Sequence, residues 1–159
     1  MPDPILRPCV IIPAYNAQVT IGPLVRRLRA LLLDVLVVND GSTDRTACDA
    51  IEAGAIVISH LQRRGPKAAL RSGLSYALER GHDPVVTMDA DSRHDLDDLP
   101  KLLGEARHAP ATSTAQQNGF RLMRRQAVLD VVNRRHVAPF RLAADGARFI
   151  GAMLRSLAR

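Results

Sequence analysis

Apolar and polar positions follow two alternating periods over the first hundred residues. Residues 9–12 form a short, β-branched apolar run stopped by Pro13, which predicts a buried strand. After a polar turn, apolar side chains across residues 21–33 recur at helical spacing, and residues 35–39 return to a β-branched run. Ser42 or Thr43 is placed to cap a helix reaching about residue 53, with Gly54 as its stop. Residues 55–59 predict a third strand, and residues 66–80 a third helix with Leu70, Leu74, Ala77 and Leu78 on one side and Gly81 at its end. Residues 84–88 predict a fourth strand, and Asp97 or Asp98 opens a fourth helix toward Arg107, acids where the helix dipole favours them.

Strands alternating with helices of this length predict an α/β fold, a mainly parallel sheet with helices on both faces. Ligands in such sheets bind at the carboxyl ends of the strands, where strand order reverses. Tyr15 and Asn16, Asn39 and Asp40, and Asp89 and Asp91 all fall just beyond predicted strand ends. One edge therefore collects the polar residues with chemistry to offer.

The rhythm then changes. Residues 109–118 are small and polar and read as a loop. A short strand at 120–123 and a helix at 125–132 follow. Residues 143–159 predict an amphipathic helix, with Ala147, Ile150, Leu154 and Leu157 on one face and Arg141, Arg148, Arg155 and Arg159 on another.

Composition adds a charge asymmetry. The formal net charge of +6 comes from the last part of the chain, where nine Arg face only Asp130 and Asp145 after residue 117. Such a tail suits an anionic partner, a diphosphate or a lipid surface. Nucleic acid is the weakest match, because aromatics are 3% of the chain and no nucleic-acid-binding motif is present. No apolar stretch approaches the ~20 residues of a membrane span, and the start carries no signal pattern. Cys9 and Cys48 lack metal spacing and read as free thiols of a reducing compartment. The expected location is cytoplasmic, with peripheral attachment at the inner membrane face as the extension the basic helix suggests.

The most informative motif is Val85-Val86-Thr87-Met88-Asp89-Ala90-Asp91. Alternate residues of an extended chain face the same way, so Asp89 and Asp91 share a cleft if the strand runs that far. Carboxylate oxygens suit a hard cation, Mg2+ or Mn2+, with substrate phosphates completing its shell. Asp40, ending the second strand, is placed to accept hydrogen bonds from a base or ribose. Neither the glycine-rich dinucleotide fingerprint nor a P-loop is present.

Four ordered segments resemble the family 2 glycosyltransferases of GT-A fold: Ile11-Ile12-Pro13-Ala14-Tyr15-Asn16 with Thr20-Ile21, Val37 through Asp44, Gly65 through Gly73, and Met88 through His94. Gly119-Phe120-Arg121 followed by Arg124-Arg125 resembles the polyprenyl-phosphate branch, similar to dolichyl-phosphate mannose synthases. The resemblance implies Pro13 and Tyr15 against the nucleotide, Asp40 on its base or ribose, Asp89 and Asp91 at the metal and donor diphosphate, and Arg121 facing a phosphate. It implies a core at residues 1–117 that binds a nucleotide-diphosphate sugar, and an abbreviated acceptor-side segment at 118–159. The acceptor it implies is a polyprenyl phosphate.

The departures from the family pattern are Ala17 after Tyr-Asn, Pro66 and Lys67 in the glycine-lysine segment, Arg93 in place of a Gln beside the acids, and Ala115 where an Asp is usual. Together with the shortened stretches after Arg107 and Val132, they motivate the alternative of a non-catalytic sugar-nucleotide binder, or of a domain whose protein partner or oligomer supplies the acceptor side.

Overall fold

The computed structural model describes residues 6–91 and 95–133. Six strands form one sheet in the order β3-β2-β1-β4-β6-β5. The first four, β1 (Cys9–Ala14), β2 (Asp34–Asn39), β3 (Ile56–Ser59) and β4 (Val85–Thr87), run parallel. The last two, β5 (Thr114–Gln117) and β6 (Phe120–Met123), form a hairpin whose second strand joins β4 antiparallel. The connecting helices are α1 (Gln18–Ala30), α2 (Thr46–Glu52), α3 (Pro66–Glu79), α4 (Leu99–Ala106) and α5 (Arg125–Asn133).

The strand sequences explain why both faces are covered. Along β1, Val10, Ile12 and Ala14 pack with α1 and α4 residues such as Leu24, Leu28 and Leu102. Cys9 and Ile11 pack on the other face with Leu74 and Ala77 of α3 and Val128 of α5. β2 divides the same way, Val35 and Val37 against Leu36 and Val38. Near-continuous apolar runs are what a parallel strand buried on both faces requires.

The α3 layer sits close because Gly73 lets it. A Cβ there would lie 2.5 Å from Ile11 Cγ2 and 3.1 Å from Val38 Cγ2. Gly73→Ala is expected to lower stability by about 1–3 kcal/mol through overpacking, read as a fall in the urea midpoint at unchanged slope. An unchanged midpoint would show that α3 can back away freely.

Several boundaries differ from the sequence expectations. β1 continues through Pro13 to Ala14, in register with Val38 and Asn39 of β2, and the Ala14 carbonyl accepts the Asp40 N–H at 2.8 Å. α2 begins at Thr46 rather than near residue 43, because Asp44 Oδ1 accepts the Thr46 N–H at 2.9 Å and the preceding residues form the turn. Asp98 stands at the N-cap position of α4, as expected, and a turn at Leu96–Asp98, capped by the Asp95 side chain, precedes it. Residues 114–117, expected within a loop, form an edge strand that pairs Thr114 through Gln117 with β6. The division expected between residues 117 and 118 falls in the β5–β6 turn, where Asn118 and Gly119 take positive φ.

Arg124, part of the motif after Phe120, is buried at the amino end of β4. Its guanidinium holds Asp83 through Nε at 2.9 Å and Nη2 at 3.2 Å, and Nη1 donates to the carbonyls of Ala106 and Ala109. It is a clamp joining α4, β4 and β6, at the sheet end opposite Asp89. Cys9 is buried and Cys48 half-buried, both free, and burial followed by the nearby Asp34 charge pushes the Cys9 thiol up to about 12. Cys9 is therefore a core side chain without thiolate character. No helix among the described residues is long and apolar enough to cross a membrane. The segment expected as an amphipathic helix, 143–159, lies outside the described residues.

Candidate active site

Strand order reverses between β1 and β4, so the crevice between their carboxyl ends is the site this topology provides. Pro13 is half-buried within β1 and Tyr15 is exposed just after it. Asp89 and Asp91 are exposed beyond β4. Arg121, also exposed, pairs across the β4–β6 ladder with Thr87, the last residue of β4. The topology thus brings Tyr15, Asp89, Asp91 and Arg121 to one end of the sheet.

β4 stops at Thr87, with one further ladder bond from Met88 N–H to the Ile11 carbonyl at 3.2 Å. The condition for Asp89 and Asp91 to share a face as strand residues is therefore not met. Ala90 and Asp91 form a turn instead, pinned by Thr20 Oγ1, which donates to the Ala90 carbonyl at 2.6 Å. The two carboxylates are presented by a turn tied to the start of α1. Arg93, beside them in sequence, lies outside the described residues.

The turn after β1 is interlaced with the turn after β2. Asn16 takes φ of 49°, its N–H donates to Ser42 Oγ at 3.0 Å, and its Oδ1 accepts the Thr43 N–H at 2.9 Å. The first N–H groups of α1 have no cap of their own. Ala17 N–H donates to Thr46 Oγ1 at 2.8 Å and Gln18 N–H to Asp44 Oδ2 at 3.2 Å. Burial would raise the Asp44 carboxyl, but the hydrogen bonds from Thr46 and Gln18 prevail and hold it below its ordinary value.

Asp40 is placed differently from a freely presented ligand. It is 3% exposed. His60 Nδ1 lies 2.7 Å from its Oδ1, and the N–H groups of Arg64 and Gly65 donate to Oδ1 and Oδ2 at 2.8 and 2.7 Å. His60 Nε2 lies 2.9 Å from Ser72 Oγ of α3. With Nδ1 donating to the carboxylate, a neutral imidazole accepts at Nε2 from the serine hydroxyl. Burial raises the Asp40 carboxyl, yet His60 first and the two backbone donors next outweigh it, and its value lies below the ordinary one. The carboxylate thus anchors the chain between β3 and α3. One of its four lone-pair sites remains for another donor.

His60, Ser72 and Arg63 are not singled out by the sequence reading, and Thr20 enters it only within the family-like segment, without a role of its own. His60 carried a usable signal, since it follows β3 as Asp40 follows β2. Ser72 and Thr20 are single polar residues in helices, with nothing in local spacing to mark them.

The residues available for a metal are Asp89 and Asp91. Their oxygen donors fit Mg2+ or Mn2+, which keep positions for substrate phosphates and water. Among the described residues no group of three or more metal-binding side chains occurs. A separate half-open cavity of about 550 Å3, lined by Leu31, Leu33, Pro84, Leu103, Arg107 and His108 among others, lies at the amino end of the sheet. It contains none of these residues.

A sheet whose strand order reverses between β1 and β4, closed by an antiparallel hairpin, is an α/β fold of GT-A type. The family model described as Glycosyl transferase family 2 matches residues 9–132, and the chain belongs to that family. It is similar to dodecaprenyl-phosphate galacturonate synthase of Rhizobium johnstonii, 33% identical over 117 residues, 65% of this chain and 34% of that protein. It is also similar to undecaprenyl-phosphate 4-deoxy-4-formamido-L-arabinose transferase of Salmonella paratyphi A, 27% identical over 82% of this chain and 43% of the other. Among solved structures, glucosyl-3-phosphoglycerate synthase from Mycobacterium tuberculosis, in complex with Mn2+, UDP-glucose and phosphoglyceric acid, aligns with a TM-score of 0.59 at 29% identity, covering 69% of this chain and 42% of that one. The chain spans about a third to two fifths of the length of these relatives.

Proposed function

We propose that this chain is the donor-binding part of a glycosyltransferase that moves a sugar from a nucleotide-diphosphate sugar to a polyprenyl phosphate. The observation that supports the reading is that Tyr15 follows β1 and Asp89 and Asp91 follow β4, the two strands flanking the switch point, with Arg121 one strand further along at the same end of the sheet. The named relatives that use dodecaprenyl and undecaprenyl phosphate support the acceptor class, and the synthase crystallised with Mn2+ and UDP-glucose supports the donor and the metal.

In this reading the bond from the anomeric carbon to the donor diphosphate breaks as a bond to an acceptor oxygen forms. Asp89 and Asp91 would hold a divalent ion, which when bound would supply Lewis-acid stabilisation of the leaving diphosphate. Tyr15 offers a face for the base, and Arg121 a cation for a phosphate. A phosphate acceptor is already ionised, so no carboxylate has to remove a proton from it. This agrees with Asp40 and Asp44 being committed to structural hydrogen bonds.

The second reading is a domain that binds the donor without transferring it alone, and it is motivated by the fraction of its relatives' length that the chain spans. Titrating UDP- and GDP-sugars with and without Mn2+, followed by an assay with a short polyprenyl phosphate, separates the two. Metal-dependent binding with product formation is expected. Binding without turnover favours the second reading, and no binding to either sugar nucleotide refutes both.

A further inference from the structure

Residues 61–64 cross the carboxyl edge as an exposed strap, and protein contacts fix it at both ends and beneath. At its start His60 is buried between Asp40 and Ser72. At its far end the Arg64 and Gly65 N–H groups converge on the same Asp40 carboxylate. Beneath it lies Gly41, with φ of 70°, where a Cβ would sit 2.6 Å from both Arg63 N and Gln62 C. The strap therefore rests on the turn after β2, and only glycine permits so close an approach.

This anchoring delivers one side chain to the site. The Arg63 guanidinium carbon lies 4.1 Å from the centroid of the Tyr15 ring, a cation–π contact. Tyr15 is 40% exposed, so the contact is wet and weak. Arg63 forms no ion pair with a described carboxylate, unlike Arg45 with Asp49 or Arg124 with Asp83. A full positive charge with five N–H donors is thus parked on an aromatic face at the point where strand order reverses.

We propose that Arg63 is a donor-recognition residue that covers Tyr15 before a donor arrives and pairs with the diphosphate when a nucleoside diphosphate binds. The inference rests on the donor-site reading above and extends it by naming the side chain that reads the diphosphate. The incoming base takes over the ring face, and the guanidinium exchanges a weak contact for charge-assisted, forked hydrogen bonds to phosphate oxygens. Because the strap backbone is held by Asp40 and Gly41, only the side chain has to swing.

The exchange makes a prediction that a general loss of positive charge does not. In calorimetric titrations of the full chain with Mn2+, Arg63→Ala is expected to weaken UDP or GDP binding by about tenfold. Binding of the corresponding nucleoside, uridine or guanosine, is expected to stay the same or tighten, because the competitor for the Tyr15 face is gone. Arg64→Ala, removing an equal charge one residue away, is expected to change diphosphate binding by less than about threefold. An equal loss for nucleoside and diphosphate, an equal loss in both Arg variants, or no loss at all overturns the proposal while leaving the donor-site reading standing, provided the unaltered chain binds UDP or GDP. Failure of the unaltered chain to bind any of the four ligands overturns both. Thermal melts of each variant identify any effect that comes from unfolding.

Discussion

Replacing Asp91 by Asn is expected to remove metal-dependent donor binding while leaving the protein folded. The side chain is exposed in a turn beyond β4, so an isosteric amide leaves the core untouched. What changes is charge: a hard divalent cation prefers anionic oxygen, and an amide oxygen offers only a dipole. Should metal stabilisation of the leaving diphosphate contribute roughly 4 kcal/mol, turnover falls about a thousandfold at 1.36 kcal/mol per decade. Asp89→Asn should behave alike. The sharper readout is the dependence on Mn2+: the unaltered chain should bind UDP more tightly as Mn2+ is added, and the Asp91→Asn chain should not respond. A variant that keeps the full Mn2+ response would remove Asp91 from the site, and Thr20, which holds the turn through Ala90, would then have no ligand-presenting function to support.

The parallel part of this fold was legible because its strands are buried on both faces and its helices end at residues with a backbone reason to end. Gly54 and Gly81 take φ of 95° and 73° immediately after α2 and α3, as expected of glycine stops. β5 was not legible. Its residues, Thr-Ala-Gln-Gln, alternate between exposed and half-buried at the sheet edge, and their extended state comes from pairing with Phe120 through Met123 rather than from their own propensity. The start of α2 was hidden for a related reason, because Asp44 accepts the Thr46 N–H while also receiving the Gln18 N–H from α1.

The candidate site divides along the same line. That acids stand at strand ends can be read from the order of residues, and so Asp40 and Asp89 were visible as positions. What each carboxylate does depends on partners distant in sequence. Asp89 and Asp91 remain exposed on their turn, whereas Asp40 meets His60, Arg64 and Gly65, twenty or more residues later. The Arg63 contact with Tyr15 spans a still longer separation and leaves no periodic trace.

That distinction makes Asp40 the residue whose loss should damage the fold and the site together. Asp40→Ala removes the shared acceptor of three donors and leaves the Arg64 and Gly65 N–H groups and the buried His60 ring facing a small apolar side chain. Leaving a buried donor unmatched costs about 1–3 kcal/mol and breaking a buried charged contact about 3–5 kcal/mol, so a loss of roughly 4 kcal/mol is expected in urea unfolding. Acid titration tests the cause. The folded carboxyl lies below its ordinary value of 3.8, so its stabilising contribution is fully present above that value and is lost as pH falls through the lower, folded one. The unaltered chain should therefore lose stability below about pH 4, and the Asp40→Ala chain, already lacking that contribution, should show a shallower acid limb. Some slope should persist, because Asp44 is depressed by its own hydrogen bonds. Equal acid slopes in the two chains would mean that the Asp40 carboxylate does not hold the strap. The Arg63 side chain would then lack a fixed base from which to reach Tyr15.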